Sequence, residues 1–192
     1  MASITDMCNS SLNLLGASNI SALTENSKNA RLCNQRFSSI RDRVFRSHNW
    51  NCLLTRKELA ADSVSPIVEY AYAYTIPANC LRVIAINNGS TDSIKSNLEY
   101  KVEGRKILTG ESVVFLLYIK IDEDPNTYDT YLREAITHEL AADLCYAITN
   151  NSTLATKYLQ KSQDILREAR FIDATENSLA TISSKTFTDA RL

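Results

Sequence analysis

The apolar positions of the chain change their spacing twice. From Ile4 to Leu15, the residues Ile4, Cys8, Leu12 and Leu15 recur every three or four positions, and Gly16 follows as a natural stop. That pattern predicts a short first helix. After "ASNISAL", Thr24 or Ser27 can cap a second, longer helix on which Ala30, Cys33, Phe37, Ile40 and Val44 form the apolar stripe. Arg31, Arg36, Arg41, Arg43 and Arg46 fall mostly on its other faces, and the last of these suit the negative end of a helix dipole.

Between Pro66 and Asp122 the period drops to two. In "VEYAYAYTIP", Val68, Tyr70, Tyr72, Tyr74 and Ile76 share one face of a predicted strand, expected to pack on the helices. "CLRVIAIN" reads as a second strand ended by the turn-rich "NNGSTDS". "LEYKV" and "RKILT" flank Glu103-Gly104, which reads as a two-residue hairpin turn, and "GES" leads into the apolar strand "VVFLLYIKI". The expectation is a small antiparallel sheet of about four or five strands.

Helical spacing then returns. Asp124 can cap and Pro125 fits the first helical position, after which Tyr128, Leu132, Ile136, Leu140, Leu144 and Ile148 repeat every fourth residue. "NNS" interrupts the pattern. Ser152 can start a fourth helix carrying Leu154, Tyr158, Ile165, Ala169 and Ile172 on one side, so the last two helices should form an antiparallel hairpin. From Asn177 the tail "NSLATISSKTFTDARL" loses periodicity and is expected to be an extended arm, ordered only against a partner. The predicted class is α+β: a bundle of about four helices from 1–62 and 122–176, an inserted antiparallel β region at 63–121, and an extended tail at 177–192.

Charge narrows the function classes. Lys plus Arg number 21 and Asp plus Glu 22, so no overall basic field would hold DNA or an anionic membrane. The five cysteines are widely spaced, without a Cys-x-x-Cys pair, which predicts reduced thiols and no disulfide framework. The N-terminus lacks the basic start and apolar run of a signal peptide, and no segment is long and apolar enough to span a bilayer. The expectation is therefore a protein made and kept inside a cell, with no membrane contact.

Candidate chemistry is sparse. His138-Glu139 in "THELAADL" resembles the start of a His-Glu-x-x-His zinc motif, but the second histidine position is Ala142 and the only other histidine is His48. A polar helix face with Glu139 and Asp143 solvated is the expectation there. The run Asp122 to Asp124 lacks the alternating ligands and glycine of a calcium loop and reads as an acidic helix start. The four glycines form no phosphate-binding loop, and no Gly-x-Ser-x-Gly elbow occurs. No catalytic residue, metal ligand or cofactor is predicted. "RSHNWNCLLTRKELA" reads as a packing hinge between the helical and β parts, with Trp50, Cys52, Leu53 and Leu54 buried and Arg46, Arg56 and Lys57 facing outward.

The segments "LGASNISALTENSKNARLCNQRF", "RDRVFRSHNWNCLLTRKELA", "YAYAYTIPANCLRV", "YKVEGRKILT" and "YDTYLREAITHELAADLCYAIT", in that order, resemble the phage tail tubular protein A family. These are head-to-tail adaptors of T7-like short-tailed phages, and the resemblance runs from Met1 to Glu176. It implies a virion structural protein that forms a twelve-subunit ring between portal protein and tail nozzle protein. It further implies helices toward the portal, a β-rich lobe toward the nozzle and a channel through which genomic DNA passes transiently. The protein would be assembled in the host cytoplasm and reside at the head-tail junction of the virion. Ring subunits need lateral and axial contact faces. Arg41, Arg46, Phe187 and Arg191 are the candidate interface residues, with Arg41 and Arg46 expected to pair across subunits. The alternative is a soluble helical adaptor or regulatory module that forms no ring.

Overall fold

The computed structural model of the protein describes residues 2–89 and 98–176, in which four helices flank an inserted region of six strands. The tail 177–192, with the candidates Phe187 and Arg191, lies outside the described residues. Helix α1 (Ile4–Leu14) opens at a capping box: the Ser3 hydroxyl accepts from the Asp6 N–H at 3.1 Å, and the Asp6 carboxylate accepts from the Ser3 N–H at 2.9 Å. Helix α2 (Lys28–Arg46) is capped by Ser27. Between them, the Asn9 amide binds both backbone groups of Ile20, at 2.8 and 2.9 Å, and returns that buried side chain to the core.

The third helix begins later than expected. Asp124 and Pro125 open only a single 3₁₀ turn, Pro125–Thr127, and Asp129 caps α3 (Thr130–Thr149) by accepting from the Tyr131 N–H at 2.8 Å. Tyr128 separates the two because its backbone is extended while its buried ring packs edge-on against Phe45 and its hydroxyl donates to the Asp122 carbonyl at 2.6 Å. At the far end Asn150, at φ 53°, stops α3, and Asn151 caps α4 (Ser152–Thr175). These back-to-back caps fold α4 along α3, as the sequence predicts.

Helix α3 packs against each of the other three helices. Its stripe buries Leu132, Ala135, Ile136, Leu140 and Leu144, but Thr137, His138 and Glu139 are buried as well. The expectation that this polar face is solvated is therefore corrected: a helix with neighbours on three sides leaves little of its circumference to water.

The six strands form two antiparallel sheets of three, rather than the single sheet expected. They are β1 (Leu54–Leu59), β2 (Tyr72–Thr75), β3 (Cys80–Asn87), β4 (Tyr100–Glu103), β5 (Lys106–Thr109) and β6 (Val114–Lys120). One sheet has the order β1-β6-β3, the other β2-β5-β4. Strand β1 falls in the segment assigned from sequence to the helical bundle, so sheet structure starts at Leu54 and not at residue 63. Three consecutive charged residues, Arg56, Lys57 and Glu58, conceal it, and charges of this kind belong on an edge strand. The hairpin turn is displaced by one residue. Gly104 and Arg105 both take positive φ, 50° and 65°, which is a type I′ turn.

Strand β6 is central and covered on both faces, which explains its unbroken apolar run. Val114, Leu116 and Tyr118 point into a core between the sheets with Tyr74, Ile86 and Ile107, while Ile119 joins the helical core with Leu53, Trp50 and Phe45. The tyrosine row is also corrected. Of its members only Tyr74 is fully buried, and it packs between the sheets, its hydroxyl donating to the Glu111 carbonyl at 2.7 Å. Tyr72, at the first position of β2, stays exposed.

Candidate interaction surface

The residues that looked like chemistry are paired with neighbours in the chain, and of these Glu139 joins α3 to α2. His138 places Nε2 3.0 Å from Glu134 one turn earlier, and Glu139 accepts from Arg43 at 2.5 Å. Asp122 pairs with Lys120 and receives the Asp124 N–H; the run precedes a 3₁₀ turn and not α3, so the helix start expected there is corrected. Among the described residues, no group of three His, Cys, Asp or Glu side chains is placed to hold a metal ion. All five cysteines are free thiols. Contact with Cys33, then burial, drives the Cys8 thiol far above its ordinary range, which leaves it unreactive.

Burial pushes the His138 imidazole below its ordinary pKa of 6.5; Lys161 adds to this and Glu134 opposes it. A histidine depressed in the folded state takes up its proton more readily when unfolded, so its contribution to stability is full above 6.5 and is lost as pH falls from there through the lower folded-state value. We expect the urea midpoint of the wild type to fall between about pH 7 and 5 more steeply than that of His138→Gln. Equal slopes would contradict this role.

The arginines of α2 divide by partner. Arg36 forms a two-point pair with Asp143 on α3, at 2.7 and 2.9 Å, and Arg43 pairs with Glu139 on the same helix. Arg41, expected at a subunit interface, is instead buried inside its own chain, bonded to Asp42 at 2.8 Å and lying 5.9 Å from the Phe45 ring centre. Arg46 is exposed but reaches across to β3, donating to the Leu81 carbonyl at 2.6 Å. Arg82 on β3 returns the contact, donating to the Arg46 carbonyl at 2.8 Å and so satisfying the end of α2. The structure thus buries Arg41 and leaves Arg46 exposed beside β3.

The hinge after α2 is tightly fastened. The Trp50 indole is fully buried and its N–H donates to the Val44 carbonyl at 2.9 Å; His48 stands edge-on to it with centroids 5.0 Å apart. His48 Nε2 meets Asp173 Oδ2 at 3.0 Å, Asp173 Oδ1 accepts from the Asn51 N–H at 3.0 Å, and the Asn51 amide donates to the Asp173 carbonyl at 2.8 Å. The last turns of α4 are thereby tied to the start of the sheet. Sequence reasoning missed Asp173, which is more than a hundred residues from its partners and has no local pattern to mark it.

The unsatisfied surface lies elsewhere. Between β1 and β2, Val64, Ile67 and Val68 are 73%, 99% and 69% exposed. Three aliphatic side chains in water on one loop are unusual for a chain with no partner. A second exposed apolar set, Tyr146, Leu159 and Phe171, belongs to α3 and α4. Strand-like alternation hid the first set, since Val68 was expected in a sheet face. No helix among the described residues is long and apolar enough to cross a membrane. No protein-family model matches the chain, and no curated protein matches it either.

Proposed function

We propose that the protein is a virion structural subunit, a head-to-tail adaptor that assembles as a ring, joins the portal to the tail nozzle and surrounds part of the DNA ejection channel. Its mechanism is binding, without turnover or cofactor. The observation that carries the reading is the exposed apolar loop Val64, Ile67 and Val68, which suits burial against a neighbour. Tyr146, Leu159 and Phe171, each exposed on α3 or α4, offer further apolar contacts of the kind a ring subunit touching several neighbours requires. The order of segments that resembles the tail tubular protein A family supports the same role.

Ile67 and Val68 are exposed enough to change without disturbing the fold, so Ile67→Asp with Val68→Asp should leave stability within about 0.5 kcal/mol of wild type. We expect the double variant to weaken association with neighbouring subunits, the cognate portal or the nozzle by about tenfold or more in sedimentation experiments. Unchanged assembly would remove this loop as the carrier of the reading.

A further inference from the structure

We propose that the cleft between the end of α2, strand β3 and the β4–β5 hairpin binds a short acidic peptide segment of a partner protein, its carboxylates on Arg46, Arg82 and Arg105. The cleft has a volume of about 310 Å³ and is lined by those three arginines together with aliphatic residues that include Leu81, Val83 and Val102. Among the described residues, no aspartate or glutamate lines it.

The contrast with the rest of α2 is what gives this cluster meaning. Arg36, Arg41 and Arg43 each have a carboxylate within the chain. Arg46, Arg82 and Arg105 instead bind neutral acceptors. Arg46 holds the Leu81 carbonyl, Arg82 holds the Arg46 carbonyl and the Asn49 side chain, and Arg105 donates to the Pro77 carbonyl at 2.8 Å. A carbonyl satisfies an N–H without neutralising the charge, and each guanidinium carries five donors, so donors and charge both remain for a ligand. The same bonds hold the three side chains in place beforehand, which lowers the entropy lost when an anion binds. Strand β3 breaks register between Cys80 and Arg82 and again between Val83 and Ala85, and bulges of this kind re-aim side chains at one face.

The aliphatic wall selects among anions. Val102 is 48% exposed and Leu81 and Val83 are half-buried, so a ligand must present apolar groups beside its charges. Single-stranded nucleic acid is bound on aromatic stacking platforms along a longer cationic track, and no aromatic ring among the described residues lines this cleft. Glutamate or aspartate flanked by aliphatic residues fits both features, through fork-to-carboxylate pairing and contact with the wall. The volume lies at the lower limit of ligand sites, roughly 300–1,000 Å³, which suits a few residues of an extended segment.

The inference deepens the assembly reading by naming the chemistry of a partner surface. It is tested on the isolated full-length chain, so a failed cleft leaves the ring open to its own test, and a chain that forms no ring leaves the peptide result standing. The probe is a capped octapeptide alternating glutamate with valine or leucine, titrated into protein labelled at arginine Nε and followed by NMR. We expect the Arg46, Arg82 and Arg105 signals to shift together, and the affinity to fall as salt rises. Arg105→Gln, which keeps the same backbone preference at an exposed turn, should weaken binding about tenfold. Val102→Asp, which adds an internal carboxylate at an exposed position, should weaken it comparably. The proposal is overturned if those arginines do not respond at millimolar peptide, or if a glutamine-for-glutamate peptide shifts them equally. It is also overturned if a short oligothymidylate binds the same arginines more tightly, since the cleft would then be a phosphate site.

Discussion

Trp50→Ala lowers the free energy of unfolding by about 3–5 kcal/mol, the range for deleting a large aromatic side chain from a close-packed interior. The indole has no exposed surface, lies in the core shared by α2, α3 and β6, and donates a hydrogen bond to the Val44 carbonyl in the last turn of α2. Alanine leaves a cavity where helix and sheet meet, while the Val44 carbonyl loses one hydrogen bond and keeps those from the Ser47 N–H and hydroxyl. Trp50→Phe keeps most of the volume and loses the N–H, so its cost should be about 1–2 kcal/mol. The measurement is urea unfolding followed by circular dichroism, because the chain has a single tryptophan and the variants lose its fluorescence. A loss below about 1 kcal/mol for Trp50→Ala would show that this junction does not hold the two parts together.

Asp173→Ala should cost about 2–4 kcal/mol, because it removes a buried carboxylate that bonds both the His48 ring and the Asn51 N–H. The loss should be local first. Amide exchange in the last turns of α4 is expected to speed up while the middle of α3 stays protected. His48→Ala removes only one of the contacts, so the double variant should cost less than the sum of the two single changes. Full additivity, with exchange in α4 unchanged, would mean that His48 and Asp173 are neighbours without energetic coupling.

The parts of the fold governed by local periodicity were readable. Helices α1, α2 and α4 lie where the three-four spacing puts them, because each buries one stripe and shows the other face to water. Helix α3 was located but its environment was misjudged: Thr137, His138 and Glu139 are polar by type and buried by the neighbours they acquire. Strand β1 was hidden by Arg56, Lys57 and Glu58, and the start of α3 was displaced by Tyr128, whose buried ring overrides a local Asp-Pro start signal. The hinge was legible through its aromatic and aliphatic residues. Its fastening through Asp173 was not, since that contact depends on how α4 packs after the chain has folded. Arg46 was singled out correctly as an exposed cation, but only the fold places Arg82 and Arg105 beside it. Arg41 was misjudged because helical spacing places Phe45 beside it, four residues on, but does not reveal that Tyr128 comes close from outside the helix.

The central claim is most directly tested by counting copies. The purified protein mixed with its cognate portal, imaged as single particles, should appear as a closed ring seated on the portal, with twelve subunits if the family resemblance holds. A chain that remains monomeric beside the portal, and is missing when virions are analysed by mass spectrometry, would contradict the adaptor account.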